Sequence, residues 1–216
     1  MRGVLVAGVA SLLAVAGPAH AEKGDWLVRA RAILVAPNER SGPVTPSFPG
    51  ASSSVDNSYA PELDFTYMAS RHVGAELILA TTKHHVAGKG ALAGVGRLAG
   101  TWVLPPTLTL QYHFAPDSPV RPYLGAGINY TIFYNEKPSA ALEKAIGSTK
   151  VTLKDSFGYA LQAGVDIDLT KRVFANFDVK YIDIDTTARL TTGSLVNREA
   201  VHLDPLVFGV GVGLRF

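Results

Sequence analysis

Bulky apolar residues alternate with small or polar ones along several stretches of this chain. At the C-terminus Phe216, Leu214, Val212, Val210, Phe208 and Leu206 alternate with Arg215, Gly213, Gly211, Gly209, Val207 and Pro205. A two-residue period places the two sets on opposite faces of a β-strand. Leu108, Leu110, Tyr112 and Phe114 alternate likewise with Thr107, Thr109, Gln111 and His113. From Phe157 to Leu169 every second residue is apolar, set against Gly158, Gln162, Gly164, Asp166 and Asp168. Ala175, Phe177, Val179 and Tyr181 stand against Asn176, Asp178 and Lys180. The longest of these faces implies a strand well beyond the ~5–6 residues usual in soluble sheets and long enough for the ~9–11 that cross a bilayer.

The pattern predicts strands over 25–35, 59–68, 73–84, 102–114, 121–134, 156–169, 173–186 and 200–216. The connections alternate in length: 36–58, 85–101, 135–155 and 187–199 are long, whereas 69–72, 115–120 and 170–172 are short. An even strand count puts both chain ends on the short-turn side, the arrangement of outer-membrane barrels. Closing the sheet into a ring also pairs every backbone polar group, as hydrocarbon demands. A soluble sandwich alternates too, but has no reason to sort its loops by length. The expected fold is all-β: an eight-stranded antiparallel transmembrane β-barrel with long extracellular loops and short periplasmic turns. Trp26, Tyr67, Tyr112, Phe114 and Phe216 fall at the short-turn end, and Tyr59, Trp102, Tyr130, Phe157 and Tyr159 at the other, as two interfacial girdles.

The first residues change the picture of the mature chain. Arg2 precedes an apolar run from Val4 to Ala16, and Pro18-Ala19-His20-Ala21 fits a signal-peptidase site. That run is shorter than the ~20 residues of a spanning helix. Residues 1–21 are therefore expected to be a cleaved signal peptide, with a retained anchor as the alternative, and residues 22–216 a single barrel domain. No cysteine occurs among the 216 residues, which removes disulfides and thiolate metal sites. Twenty basic against eighteen acidic residues leave a net charge of only +2, a balance that argues against a nucleic-acid partner.

Four stretches, in order, resemble the OmpW family of eight-stranded outer-membrane proteins: residues 104–114, 121–131, 177–186 and 203–216. The resemblance implies a narrow, hydrophobic-lined pore admitting small hydrophobic molecules. It also implies outer-membrane localisation, with lipid and lipopolysaccharide as surroundings. The alternation ending in Leu214 and Phe216 resembles the signal read by the barrel assembly machinery. The chain departs from the family mainly in loops, where residues 87–100 are rich in Gly and Ala.

The inward phase is legible without the family. Arg29, Arg31, Asp64, Gln111, His113, Gln162, Asp166, Asp168, Asn176, Asp178 and Lys180 fall towards the periplasmic end and the middle of the lumen. Ile33, Val35, Phe133, Ile182, Ile184, Val201, Leu203 and Val207 fall towards the outside and are the expected channel lining. Charges of both signs must pair when buried. Arg29, Arg31, Asp64, Asp166, Asp178 and Lys180 are thus expected to form a polar plug beneath an apolar mouth. A solute entering from outside would leave sideways into the membrane. Pro61, Pro105, Pro106 and Pro205 cannot donate to a ladder and mark either a lateral gap or bulges.

The remaining chemistry is sparse. His84 and His85 face opposite sides of a strand, cannot chelate one metal together, and are expected to be solvated. Asp183, Asp185 and Asp204 gather near the outer rim, where solvation is the default. No G-x-S-x-G motif occurs, and no cofactor or metal is expected. Residues 139–146 suit one or two helical turns, closed by Gly147. The functional expectation is an uptake channel for small hydrophobic molecules with lateral release, not an enzyme. The alternative is a structural or interaction barrel of receptor or adhesion type, without transport.

Overall fold

A computed structural model describes residues 22–216; the expected signal peptide lies outside the described residues. Fifteen strands occur among them. They are β1 (Trp26–Ala36), β2 (Arg40–Ser41), β3 (Ala51–Val55), β4 (Ser58–Met68), β5 (Val73–Ala80), β6 (Thr82–Gly90), β7 (Arg97–Leu104) and β8 (Thr107–His113). Then come β9 (Val120–Pro138), α1 (Ala140–Ile146), β10 (Thr149–Leu153), β11 (Ser156–Asp168), β12 (Val173–Ile182), β13 (Asp185–Thr192), β14 (Leu195–His202) and β15 (Leu206–Arg215).

Eight of these form one antiparallel ring in the order β1-β4-β5-β8-β9-β11-β12-β15. The ring closes where β15 pairs with β1, from Leu27↔Arg215 to Ala36↔Leu206. The first and last strands are locked by reciprocal bonds: Trp26 N–H donates to Phe216 O and Phe216 N–H to Trp26 O. Side chains alternate in burial as the period required, so β1 buries Leu27, Arg29, Arg31 and Ile33 in turn. Leu63, Leu77, Leu110, Leu124, Ile128, Leu161, Phe208, Val210 and Val212 form an apolar outer band. This is the membrane face.

The wall continues above that band. Outward residues there become polar: Lys83, Lys89, Arg97, Asp185, Arg189, Arg198 and His202 are exposed. Segments expected as loops are largely strand, because β6–β7 and β13–β14 form hairpins that project beyond the lipid. Once a strand leaves hydrocarbon its outer face no longer needs to be greasy, so the alternation fades while the pairing persists. The 36–58 connection likewise holds β2 and β3, paired to β14 and β6. Ser139 caps α1 by accepting Leu142 N–H at 3.0 Å. The helix thereby turns Leu142 into the upper interior, where it is fully buried.

The interior is layered. At the periplasmic end sit Leu27, Met68 and Phe174. A charged layer follows, then Ile33, Val103, Phe133, Ala160, Ile182, Ile184 and Val207. The top is roofed by Val44, Ala51, Leu92, Leu98, Leu142, Val151 and Leu190, drawn from the extracellular segments.

Candidate ligand chamber and its charged floor

The charged layer is built on β1. Arg29 reaches Asp64 at 3.0 Å, Asp166 at 2.9 Å and Glu76 at 3.3 Å, and donates to Thr66 Oγ1 at 2.8 Å. Arg31 pairs with Asp64, with Glu76 at 3.1 Å, Glu62 at 3.0 Å and Asp178 at 3.2 Å. Lys180 bridges Glu62 at 2.8 Å and Asp178 at 2.7 Å. Five carboxyls meet three cations here, and neutral donors supply the rest. Thr109 donates to Glu76, Tyr123 and Gln162 to Asp178, and Asn176 to Asp166, all within 3.1 Å. His113 and Gln111 extend the network, joined through Nε2 and Oε1 at 3.2 Å. A buried charge is tolerated when its remaining bonds are satisfied, and this layer does so on nearly every side.

Beneath it Phe174 is flanked by the guanidiniums of Arg29, Arg121 and Arg215 at 5.5, 5.8 and 6.0 Å. Asp168 meets Arg121 at 2.6 Å and Arg215 at 3.4 Å. The structure thus gathers Arg29, Arg31, Asp64, Asp166, Asp178 and Lys180 into one network. Sequence reasoning missed Glu62, Glu76, Arg121 and Tyr123. Glu62 shares the phase of Asp64, and Glu76 stands between Ala75 and Leu77, so the period alone could have found both.

Above this floor lies a chamber of about 100 Å³. Ile33, Val35, Phe133, Ile182, Ile184, Val201, Leu203 and Val207 all line it, with Glu62 and Lys180 at the base. Ile78, Val103 and the roof residues complete an almost wholly apolar wall. An engineered apolar cavity of ~150 Å³, half again as large, stays dry and takes benzene, so a guest that fits this chamber is small.

One seam of the wall is incomplete. The β4–β5 ladder ends at Glu62↔Ala80, and the next residue of β4 is Pro61, which has no N–H. Pairing of this edge resumes at Val55↔Val86 between β3 and β6. In between, Asp56 fastens the strands. His85 N–H donates to Asp56 Oδ1 at 2.6 Å, Asp56 N–H to His85 O at 3.2 Å, and His84 Nδ1 lies 2.8 Å from Asp56 O. Although burial opposes it, hydrogen bonds from His85 hold the Asp56 carboxyl below its ordinary range. His84 is buried against Thr82 and lines the chamber, which corrects the expectation of a solvated pair. An inward strand position, not a strand end, decides this. The other prolines interrupt strands but leave the wall bridged. Pro105 and Pro106 carbonyls accept from Asn129 at 3.1 and 3.3 Å, and Ile182 N–H donates to Pro205 O.

At the rim, Asp183, Asp185 and Asp204 lie together, but Arg40 pairs with Asp204 at 2.9 Å and His202 with Asp185 at 2.5 Å. Asp204 is buried, whereas Asp185 is exposed and Asp183 partly so, and these two keep the solvated position expected of them. Leu214 and Phe216 are exposed on the outer face at the closing strand.

The architecture matches known proteins. The family model described as "OmpW family" matches residues 22–216. Outer membrane protein W of Escherichia coli is 39% identical over 218 residues, covering 100% of both chains. The dibenzothiophene metabolism operon protein PahQ of Pseudomonas aeruginosa is 30% identical, covering 95% of each. The crystal structure of the outer membrane protein OprG from Pseudomonas aeruginosa superposes with a TM-score of 0.87 at 34% identity, covering 93% of this chain and 99% of that one. With its eight-stranded ring, apolar band and full-length match, the chain belongs to the OmpW family of bacterial outer-membrane proteins.

Proposed function

We propose that this barrel admits small apolar molecules from outside into the chamber and releases them sideways into the membrane. One observation carries the reading: a chamber of apolar side chains stands directly on a floor of paired charges. A neutral apolar guest gains by entering the first and loses by displacing the second, since ions separated in a dry lumen cost far more than a hydrocarbon can return. The axial route is therefore unfavourable. The seam at Pro61, where the ladder stops level with the chamber floor, supplies the lateral one. A relative named for dibenzothiophene metabolism agrees with an apolar aromatic cargo.

The test is uptake of a small aromatic hydrocarbon by cells whose own copy has been removed and replaced. Wild type raises uptake, whereas Phe133→Asp or Leu203→Asp at equal surface level abolishes the gain. Uptake that ignores both substitutions removes the reading and leaves a barrel that acts through its extracellular hairpins. A disulfide between cysteines placed at Ala60 and Thr82, across the seam, blocks uptake until it is reduced.

A further inference from the structure

Unlike the carboxylates of the floor, Glu199 has no partner of opposite sign among the described residues; Glu136, the other acid of the chamber wall outside the floor, is only partly buried and accepts Leu153 N–H at 3.2 Å. Glu199 projects inward from β14, opposite Ala188 of the upper apolar cluster, and is only 4% exposed. Glu62, Asp64, Glu76, Asp166 and Asp178 all meet a cation. Glu199 faces Ser53 instead, whose backbone and hydroxyl favour the anion, and its Oε1 has no hydrogen-bond partner among the described residues. Both Glu199 and Ser53 line the chamber. A carboxylate oxygen left unsatisfied in an apolar wall costs stability, so its retention points to something that satisfies it.

The strand order sets where that something sits. Glu199, Val201 and Leu203 succeed one another inward and downward along β14 and the residue after it, so Glu199 lies above Val201 and Leu203 and just below the roof residue Leu190. The cation nearest the chamber floor, Lys180, is already committed to Glu62 and Asp178. An anionic head group would thus meet a carboxylate above and a committed cation below. A molecule with an N–H or O–H at one end would meet the acceptor it needs.

Resting on the chamber reading above, we propose that the preferred guest is an apolar body ending in one hydrogen-bond donor, best a protonated amine. Glu199 Oε1 receives the donor, and Ile33, Phe133, Ile182, Val201, Leu203 and Val207 receive the body. An ammonium head gives the stronger, charge-assisted bond and an alcohol a weaker one of the same geometry.

The experiment uses the mature chain in phosphatidylcholine nanodiscs, with empty nanodiscs as the partition control. Four probes share one body: phenethylamine, phenethyl alcohol, ethylbenzene and phenylacetate. Wild type binds phenethylamine about 10-fold tighter than ethylbenzene, with the alcohol between them and phenylacetate weakest. Glu199→Met brings the amine-to-ethylbenzene ratio close to one. Glu199→Gln keeps the alcohol's advantage and loses the amine's. Replacing a buried carboxylate that has no cation does not threaten folding, which circular dichroism of each variant verifies. A ratio unchanged in Glu199→Met overturns the assignment. So does ethylbenzene binding to wild type with no preference for the amine, which leaves the chamber itself standing. Failure of all four probes to bind removes the chamber reading together with this one.

Discussion

Arg29 and Asp166 lie 137 residues apart in sequence, yet their buried side chains meet twice, Nη2 to Oδ2 at 2.9 Å and Nε to Oδ1 at 3.2 Å. This is the planar fork that only arginine offers a carboxylate. It spans the lumen, tying the first strand to β11, while Arg29 also pairs with Asp64 on the neighbouring strand. Arg29→Ala leaves Asp166 with no cation and Asp64 and Glu76 to share Arg31 alone. The expected loss is about 3–5 kcal/mol in urea unfolding from lipid vesicles, the usual cost of stranding buried charge. Arg29→Lys keeps the charge without the fork and recovers only part of it. An unaltered urea midpoint in Arg29→Ala would mean that the layer does not hold the barrel together.

Gly213 makes room for Phe174. A Cβ at this position would stand 2.2 Å from the ring, so the small face of the last strand is a packing requirement. Gly213→Ala is expected to cost about 1–3 kcal/mol through overpacking. In a Phe174→Leu background the same change costs less, because the obstructing ring is gone. Equal costs in both backgrounds would show that the two residues do not compete for space.

The boundary of the membrane face is testable with one substitution at two heights. Val210 is exposed on the outer face of β15, between Ala32 and Phe177 in the ladder. Ala200 is exposed on β14, in the part of the wall that rises above the lipid. Val210→Arg should destabilise by about 2–4 kcal/mol, as for a cation near the bilayer midplane. Ala200→Arg should stay within ~0.5 kcal/mol of wild type. Similar losses at both heights would place β14 in hydrocarbon as well.

Stability should also depend on pH through Glu199. Burial pushes its carboxyl above the ordinary glutamate value of 4.5, against Ser53, whose backbone and hydroxyl favour the anion. The folded barrel therefore keeps this proton over a range where the unfolded chain has released it. The associated stability is complete below the unfolded pKa and disappears as pH rises through the folded one. Wild type should thus lose urea resistance relative to Glu199→Met as pH climbs from about 4.5. Parallel pH profiles for the two proteins would contradict it.

Much of the barrel is legible in the chain because one physical rule dominates it. A strand in a membrane must turn grease outward at every second residue, so the spacing of Phe208, Val210 and Val212 by itself reports a lipid face. The same rule marks Arg29, Asp64 and Lys180 as inward. It weakens where strands leave the bilayer: Thr187, Arg189 and Thr191 need not be apolar, so β13 has the composition of a loop. Glu76, flanked by Ala75 and Leu77, obeys the rule, but a single charge in an apolar run is a faint signal.

Sequence by itself determined the sidedness of each strand, the even strand count and the division of the lumen into charged and apolar halves. These follow from period and loop length, which are local properties. Only the tertiary structure decided which charges meet, because register sets depth and ring closure sets what lies opposite. Arg29 and Asp64 are level since β1 and β4 pair there, and Asp166 reaches them from across the lumen. It also decided that Glu199 would be buried with one oxygen unsatisfied, since that depends on Ser53 and a roof assembled from distant loops.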